Sequence, residues 1–215
     1  MTITAPQARP RKERKENAER RRRQLLDATR RSIVAHGLQR TTLATVAAEA
    51  GLSQGVAVFY FKSKGGLLTE ALRDLYAAYE RHWTGALEAA GRDPSAQLVA
   101  LVRADFDPQV CNAEILSVWF AFWGELRFTP QYAELTSAFD LRRQQAVTAI
   151  MDRLLPGEPD RAQDLSQWIE TLTDGYWQHL HLLPERSNKD DMLSGALRFL
   201  ATHLPEHSDA ILGQV

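Results

Sequence analysis

Five large aromatic residues fall into two clusters of the 215-residue chain: Trp119, Phe122 and Trp123 at i, i+3 and i+4, and Tyr176 beside Trp177. Spacing of the first kind puts side chains on one face of a helix. Aromatic faces attract a quaternary ammonium group at ~0.5–2 kcal/mol each, and a nearby carboxylate, Asp174 or Asp105, would add charge selectivity. The same rings can equally be ordinary core packing, or suit a flat hydrophobic or aromatic compound. Catalytic patterns are weaker. His203, Glu206 and His207 spell H-x-x-E-H, a metalloprotease pattern when it lies on a helix. Pro205 between the histidines removes that geometry, which leaves a surface tail. His179 and His181 are two apart and would point to different sides of a helix. No G-x-S-x-G or P-loop is present, and Cys111 has no evident base beside it. The residues predict a binding protein, with no catalytic centre, metal or cofactor.

Charge directs the search for a partner to the other end of the chain. Residues 1–66 hold 14 Lys/Arg against 5 Asp/Glu, whereas residues 67–215 hold 12 against 22. The overall charge of −1 therefore hides a basic N-terminal part joined to an acidic remainder. Such asymmetry predicts a polyanion partner for the first part only. The basic residues between Arg9 and Arg23, including the run Arg20 to Arg23, can be a solvated tail or an arm that contacts DNA. Next to the motif that follows, the arm is the better reading. No apolar run approaches the ~20 residues that span a bilayer, so no membrane association is expected. The basic N-terminus lacks the apolar stretch of a secretory signal. A lone cysteine excludes an internal disulfide and fits a reducing cytoplasm.

The element that would meet the polyanion lies between Thr41 and Leu68. Thr42 can cap a short helix in which Leu43, Val46, Ala47 and Ala50 share one apolar face. Gly51 can adopt the left-handed conformation that ends it, and Ser53 can cap a second helix starting at Gln54. A three-residue connection forces the two helices to cross steeply, as in a helix-turn-helix whose second helix enters the major groove. The alternative is a helical hairpin with no nucleic acid partner.

Helical periodicity fills nearly all the remaining sequence. A first helix over Asn17–His36 would bury Leu25, Leu26, Thr29, Ile33 and Val34, and Gly37 would stop it. A fourth, from Ser63, carries Leu68, Ala71, Leu72, Leu75, Tyr79 and Trp83. Further helices are expected over Ser95–Asp105, Asn112–Phe128, Pro130–Leu155, Asp160–Leu183 and Asn188–Leu204. The last two present Leu165, Trp168, Ile169, Leu172, Tyr176 and Leu180 against Leu193, Ala196, Leu197, Leu200 and Leu204. They can complete an internal core or pair with two-fold mates as a four-helix bundle. The dimer is favoured because two recognition helices can grip two half-sites together.

Thr42, Val46, Ala47, Ala50 to Ser53, Gly55, Tyr60 to Lys64 and Leu67-Leu68 resemble the DNA-binding signature of TetR-type repressors. Phe106-Asp107, Val110, Trp119, Ala121 to Trp123, Pro130, Arg142, Leu155-Pro156, Asp174-Gly175 and Trp177 resemble its BetI-type branch, whose known members respond to choline. The resemblance implies an all-α fold of about nine helices: a three-helix N-terminal domain with a helix-turn-helix, then a larger helical ligand-binding and dimerisation domain. The expected divisions are a basic disordered arm over 1–16, a DNA-binding domain over 17–66, an effector and dimerisation domain over 67–204, and a flexible tail over 205–215. It further implies that Thr42, Ser53, Tyr60 and Lys64 contact phosphate while Gln54, Gly55, Val56 and Phe59 face the groove floor. The chemistry is compatible, since a glutamine amide can bind adenine N6 and N7 with both ends, and Val56 and Phe59 can pack on thymine methyls. Phe59 and Val58 depart from the family pattern, and Phe59 has the alternative of packing inward.

These readings combine into a cytoplasmic homodimer that binds a double-stranded DNA operator. The effector-binding residues would be Trp119, Phe122, Trp123, Asp174, Tyr176 and Trp177. Recognition helices about one DNA turn apart, ~34–36 Å, would lose that spacing when effector entered the core. A choline-like cation is the leading effector and a hydrophobic or aromatic compound the second. A helical enzyme or carrier and a protein–protein adaptor are the competing classes.

Overall fold

The structure, a computed structural model, describes residues 11–213. Those residues form ten α-helices and two 3-10 turns, with no strand among them. They divide into two compact units, Met1–Ala71 and Leu72–Val215. Helix α4, Lys64–Ala90, contributes its first turns to the former and the rest to the latter.

The first unit contains α1 (Arg11–Arg40), α2 (Leu43–Glu49), α3 (Gln54–Phe61) and the start of α4. Helix α1 begins six residues before the expected Asn17, so residues 11–16 are helical where an unstructured arm was predicted. Residues 1–10 of that arm lie outside the described residues. Strong helix formers and the exposed Lys12–Glu16 pair at i, i+4 favour the extension. Gly37, at φ 76°, breaks the helical path near the far end of α1. Leu25, Leu26, Thr29 and Ile33 are buried as expected, but Val34 is exposed. Ser32 takes the inward position instead, its hydroxyl sharing a 3.1 Å hydrogen bond with Thr41 inside the unit.

The second unit holds the rest of α4, then α5 (Pro94–Asp105), α6 (Ala113–Leu126), α7 (Pro130–Leu154), α8 (Pro159–Leu182), α9 (Lys189–His203) and α10 (Ser208–Leu212). Left-handed Gly91, at φ 74°, follows the end of α4. The core is built from Leu98, Leu101, Met151, Leu165, Leu197 and Leu200, all essentially inaccessible.

Residues 205–213 are not the loose tail the sequence suggested, and the last two residues of that tail lie outside the described residues. Pro205–His207 form a 3-10 turn and α10 packs on α9 and α5, with Ile211 fully buried. Burying that side chain contributes ~1.5–3 kcal/mol. His207 reinforces the closure, with Nδ1 3.2 Å from Ser95 Oγ and Nε2 3.2 Å from the Leu154 carbonyl. That carbonyl can only accept, so Nε2 carries a proton.

Candidate functional site

In the first unit, α2 and α3 are held as a rigid pair by local chemistry. Thr42 and Thr45 close a capping box, the Thr45 amide donating to Thr42 Oγ1 at 3.1 Å and the Thr42 amide to Thr45 Oγ1 at 2.8 Å. Left-handed Gly51 ends α2, with the Leu52 amide donating to the Ala47 carbonyl at 2.8 Å and the Gly51 amide to Ala48 at 3.0 Å, the Schellman pattern. Gln24 of α1 donates to the Ala50 carbonyl at 2.6 Å, tying that turn to α1. Ser53 occupies the N-cap of α3, but its side chain makes no capping bond.

Helix α3 turns Ala57 and Phe61 inward and leaves Gln54, Gly55, Val58 and Phe59 exposed, with Val56 and Tyr60 half-buried. Phe59 does not pack inward: 68% of its surface is accessible. Val58 beside it is 40% exposed, so α3 presents apolar side chains on the face turned away from its own core. Its ring is edge-on to Tyr60 at 5.2 Å. Lys62 caps α3 with φ 66°, donates from Nζ to the Phe59 carbonyl at 2.8 Å, and sits over the Phe59 ring. Lys64, half-buried, donates from Nζ to the Gln39 carbonyl at 2.6 Å. Ser63 accepts from the Gly66 amide at 3.0 Å and so caps α4. Two arginines of the basic run engage carboxylates of the same unit, Arg22 with Glu70 and Arg23 with Asp27, and further along α1 Arg30 pairs with Asp27 and Arg31 with Glu49.

In the second unit, helices α4, α6, α7 and α8 line a partly open cavity of about 210 Å³. Trp119 is its hub, with ring centroids of Tyr76, Tyr79, Trp123 and Trp177 within 4.5–6.0 Å. Trp83 and Phe139 complete the aromatic lining, and Glu80, Asp140, Arg143, Glu170 and Asp174 supply charge. Arg143 is buried, paired to Asp105 at 2.8 Å and to Glu170 at 3.2 Å. Tyr79 donates its hydroxyl to Asp105 at 2.6 Å, and the Trp177 indole donates to the Asp105 carbonyl at 2.7 Å. Glu80 is engaged by Arg142.

One guanidinium therefore faces more carboxylates than it can neutralise. Burial pushes the Asp105 carboxyl up, and the Arg143 charge opposes the rise. Burial also pushes Asp174 up to about 7, with Glu170 and Asp105 adding repulsion. Solvent reaches Asp174 through the open side of the cavity, but surrounding protein atoms remove enough hydration to disfavour its charge. Asp140 is raised by burial too, against a hydrogen bond from Thr136. A site so short of positive charge favours a cationic occupant.

Trp119, Trp123, Asp174 and Trp177 come together here as the sequence suggested, but Phe122 and Tyr176 do not. Phe122 is fully buried against Tyr132 of α7, ring centroids 5.5 Å apart. Tyr176 is one residue from Trp177, hence about 100° away around α8, and packs toward Phe106. It borders a second, open depression on α8 and α9 with Trp168, Leu172 and Phe199. Sequence reading took Tyr79 and Trp83 as plain core and missed Arg143. Glu170, Asp174 and Trp177, at i, i+4 and i+7, were a detectable stripe. Among the described residues, no group of three or more His, Cys, Asp or Glu is arranged to hold a metal.

A capped helix pair presenting an exposed second helix, followed by a helical unit with a charged aromatic cavity, defines a helix-turn-helix regulator of transcription. The family description "Bacterial regulatory proteins, tetR family" matches residues 25–71, and "BetI-type transcriptional repressor, C-terminal" matches residues 94–205. The transcriptional regulator BetI of Burkholderia thailandensis is 39% identical over 73% of this chain and 80% of its own. The Burkholderia mallei protein of the same name is 38% identical over the same shares. A transcriptional regulator from Pseudomonas aeruginosa has the same fold, with a TM-score of 0.77 at 20% identity over 90% of this chain and 94% of that one. One from Saccharomonospora viridis, solved in complex with choline, gives 0.75 at 22% identity over 85% and 96%. The chain belongs to the TetR family of DNA-binding transcriptional regulators and carries a BetI-type C-terminal domain.

Proposed function

We propose that the chain is a homodimeric cytoplasmic repressor released from its operator by a small quaternary ammonium ion such as choline. The cavity carries this reading: aromatic faces suited to a cation, bordered by carboxylates that exceed the single Arg143 charge. The choline found in the Saccharomonospora viridis relative supports it. Release requires that the ion prefer the state that cannot bind DNA. Gln54, Gly55, Val56 and Phe59 read base edges and methyls, and Thr42, Ser53, Tyr60 and Lys64 hold phosphate. The accessible ring of Trp168, beside Leu172 and Phe199, supports two-fold pairing through α8 and α9.

A gel-shift on the chain's own upstream DNA tests the whole reading. Binding should weaken steeply with salt and be lost on adding choline. Lys64→Ala should weaken all sequences alike, whereas Gln54→Ala should relax preference at particular base pairs by ~1–3 kcal/mol. Loss of sequence choice in Lys64→Ala without loss of affinity would refute these roles. Thermal-shift titration with choline, betaine and a hydrophobic cation then separates the effector classes, and indifference to every quaternary ammonium would sink the cation.

Affinity for the cation should also depend on pH. A cation stabilises ionised Asp174, so binding is strongest above its pKa of about 7 and fades as pH falls through it. Glu170 of the same helix, Asp105 of α5 and Asp140 and Arg143 of α7 set that value together. Choline should bind more weakly at pH 6 than at pH 8. Asp174→Asn should flatten the profile, and an unchanged slope in that variant would remove Asp174 from the site.

A further inference from the structure

Helix α3 divides its exposed face in two. The first turn presents the Gln54 amide and the bare backbone of Gly55. The second presents Val58 and Phe59, whose side chains can neither donate nor accept a hydrogen bond. The Phe59 ring is held from within its own helix. Tyr60 meets it edge-on, at 5.2 Å between centroids and 88° between planes. Lys62 ends α3 at φ 66° and turns its side chain back, so that Nζ donates to the Phe59 carbonyl at 2.8 Å and lies 5.3 Å from the ring centroid. Most of the ring nevertheless remains accessible. It does so on the part of the chain, residues 1–66, that carries 14 Lys/Arg against 5 Asp/Glu, a balance suited to the phosphates of duplex DNA.

We propose that Val58 and Phe59 together read the C5 methyl group that thymine, or a cytosine methylated at C5, presents in the major groove. This rests on the operator reading given above, adds Val58 to it and makes recognition depend on base methylation. Among the groups that base pairs present there, the thymine methyl is the apolar one that stands out into the groove, beside hydrogen-bond donors and acceptors. Pressing an apolar ring on a donor or acceptor removes its water and returns no bond, which costs affinity. The pair therefore favours thymine at the step it covers and penalises guanine, adenine and plain cytosine. 5-Methylcytosine carries the same methyl on the same ring carbon, so methylation restores the contact. Gln54, a turn earlier, has the amide that reads an adenine edge, so one face combines polar and apolar reading.

The probe is the shortest duplex from the chain's own upstream DNA that the full-length protein binds, titrated by fluorescence anisotropy at fixed salt. Deoxyuridine replaces its thymines one at a time, which removes the methyl and keeps the pairing. At a small number of positions affinity should fall about fourfold, the fold-change for uncovering one methyl-sized group. Elsewhere it should stay within about twofold. A C·G pair at a sensitive position should bind about tenfold more weakly than T·A, and methylating that cytosine at C5 should recover about fourfold. Phe59→Ala should melt with the wild type, because the ring is exposed, and should bind the thymine and uracil duplexes alike. If that variant binds too weakly to titrate, the wild-type series decides alone. Uracil tolerated at every position would overturn the proposal and leave the operator reading standing, since the parent duplex still binds. A Phe59→Ala protein that keeps the full uracil penalty would also overturn it, by giving the methyl to another residue. Failure to bind any upstream fragment at low salt would remove the operator reading and this one together.

Discussion

Arg143→Met should destabilise the second unit by about 3–5 kcal/mol, the usual consequence of stranding the partners of a buried ion pair. Arg143 holds Asp105 at 2.8 Å, and both side chains are almost inaccessible. Methionine keeps much of the volume, so lost charge rather than a cavity dominates. The melting temperature should fall by roughly 6–20 °C, at 2–4 °C per kcal/mol for a chain of this size. The sign of the pH response identifies the cause. Without the guanidinium, the hydrogen bond from Tyr79 still opposes burial and the repulsion from Glu170, but the largest opposing charge is gone, so the pKa of Asp105 rises further above the unfolded value. The folded variant then binds more protons than the unfolded chain, and its stability must increase as pH falls. Adding Asp105→Asn should restore at least ~1 kcal/mol by removing one of the stranded charges. A variant as stable as wild type at pH 8, or one that gains nothing on acidification, would show that Arg143 carries no such load.

That residue also marks where reading the sequence reached its limit. The helix pair was legible because its signals are local: Thr42 and Thr45 lie three residues apart, and Gly51 sits where a left-handed residue must be. Helices α5 to α9 emerged near their predicted bounds for the same reason, from proline starts and apolar stripes. Arg143 has no local signature. Its burial depends on Asp105, 38 positions earlier, and Glu170, 27 later, and sequence spacing does not announce such partners. Phe122 and Tyr176 show a subtler failure. Both are large and aromatic, but the direction of a ring is set by the neighbouring helix, and Tyr132 claims Phe122. The tail was misjudged because Pro205 was read as an ending, when it only redirects the chain so that Ile211 reaches the core.

Gly66→Ala should destabilise the first unit and cost operator affinity, reversing the usual sign of that exchange. Within a helix, alanine is worth up to ~1 kcal/mol more than glycine. At position 66, however, a Cβ would lie 2.2 Å from the Phe61 carbonyl oxygen and 3.4 Å from its carbon. The obstacle is backbone, so it cannot swing aside as a flexible side chain would. Phe61 closes α3 with its side chain buried, and its carbonyl also accepts the Ser63 amide at 2.7 Å. Relief must therefore displace the end of α3 or the start of α4, at ~1–3 kcal/mol or more. The adjacent Gly65 provides the control, since a Cβ there would meet nothing closer than Ser63 Oγ at 3.8 Å. Gly65→Ala should leave stability unchanged or raised, with DNA binding intact. Gly66→Ala should lower the melting temperature of the DNA-binding unit and weaken operator binding at least tenfold. Choline binding to the second unit should survive in both. Equal stability of the two variants would mean that α3 is not held against α4 through this contact, and with it would go the fixed presentation of Gln54 and Phe59 on which base reading depends.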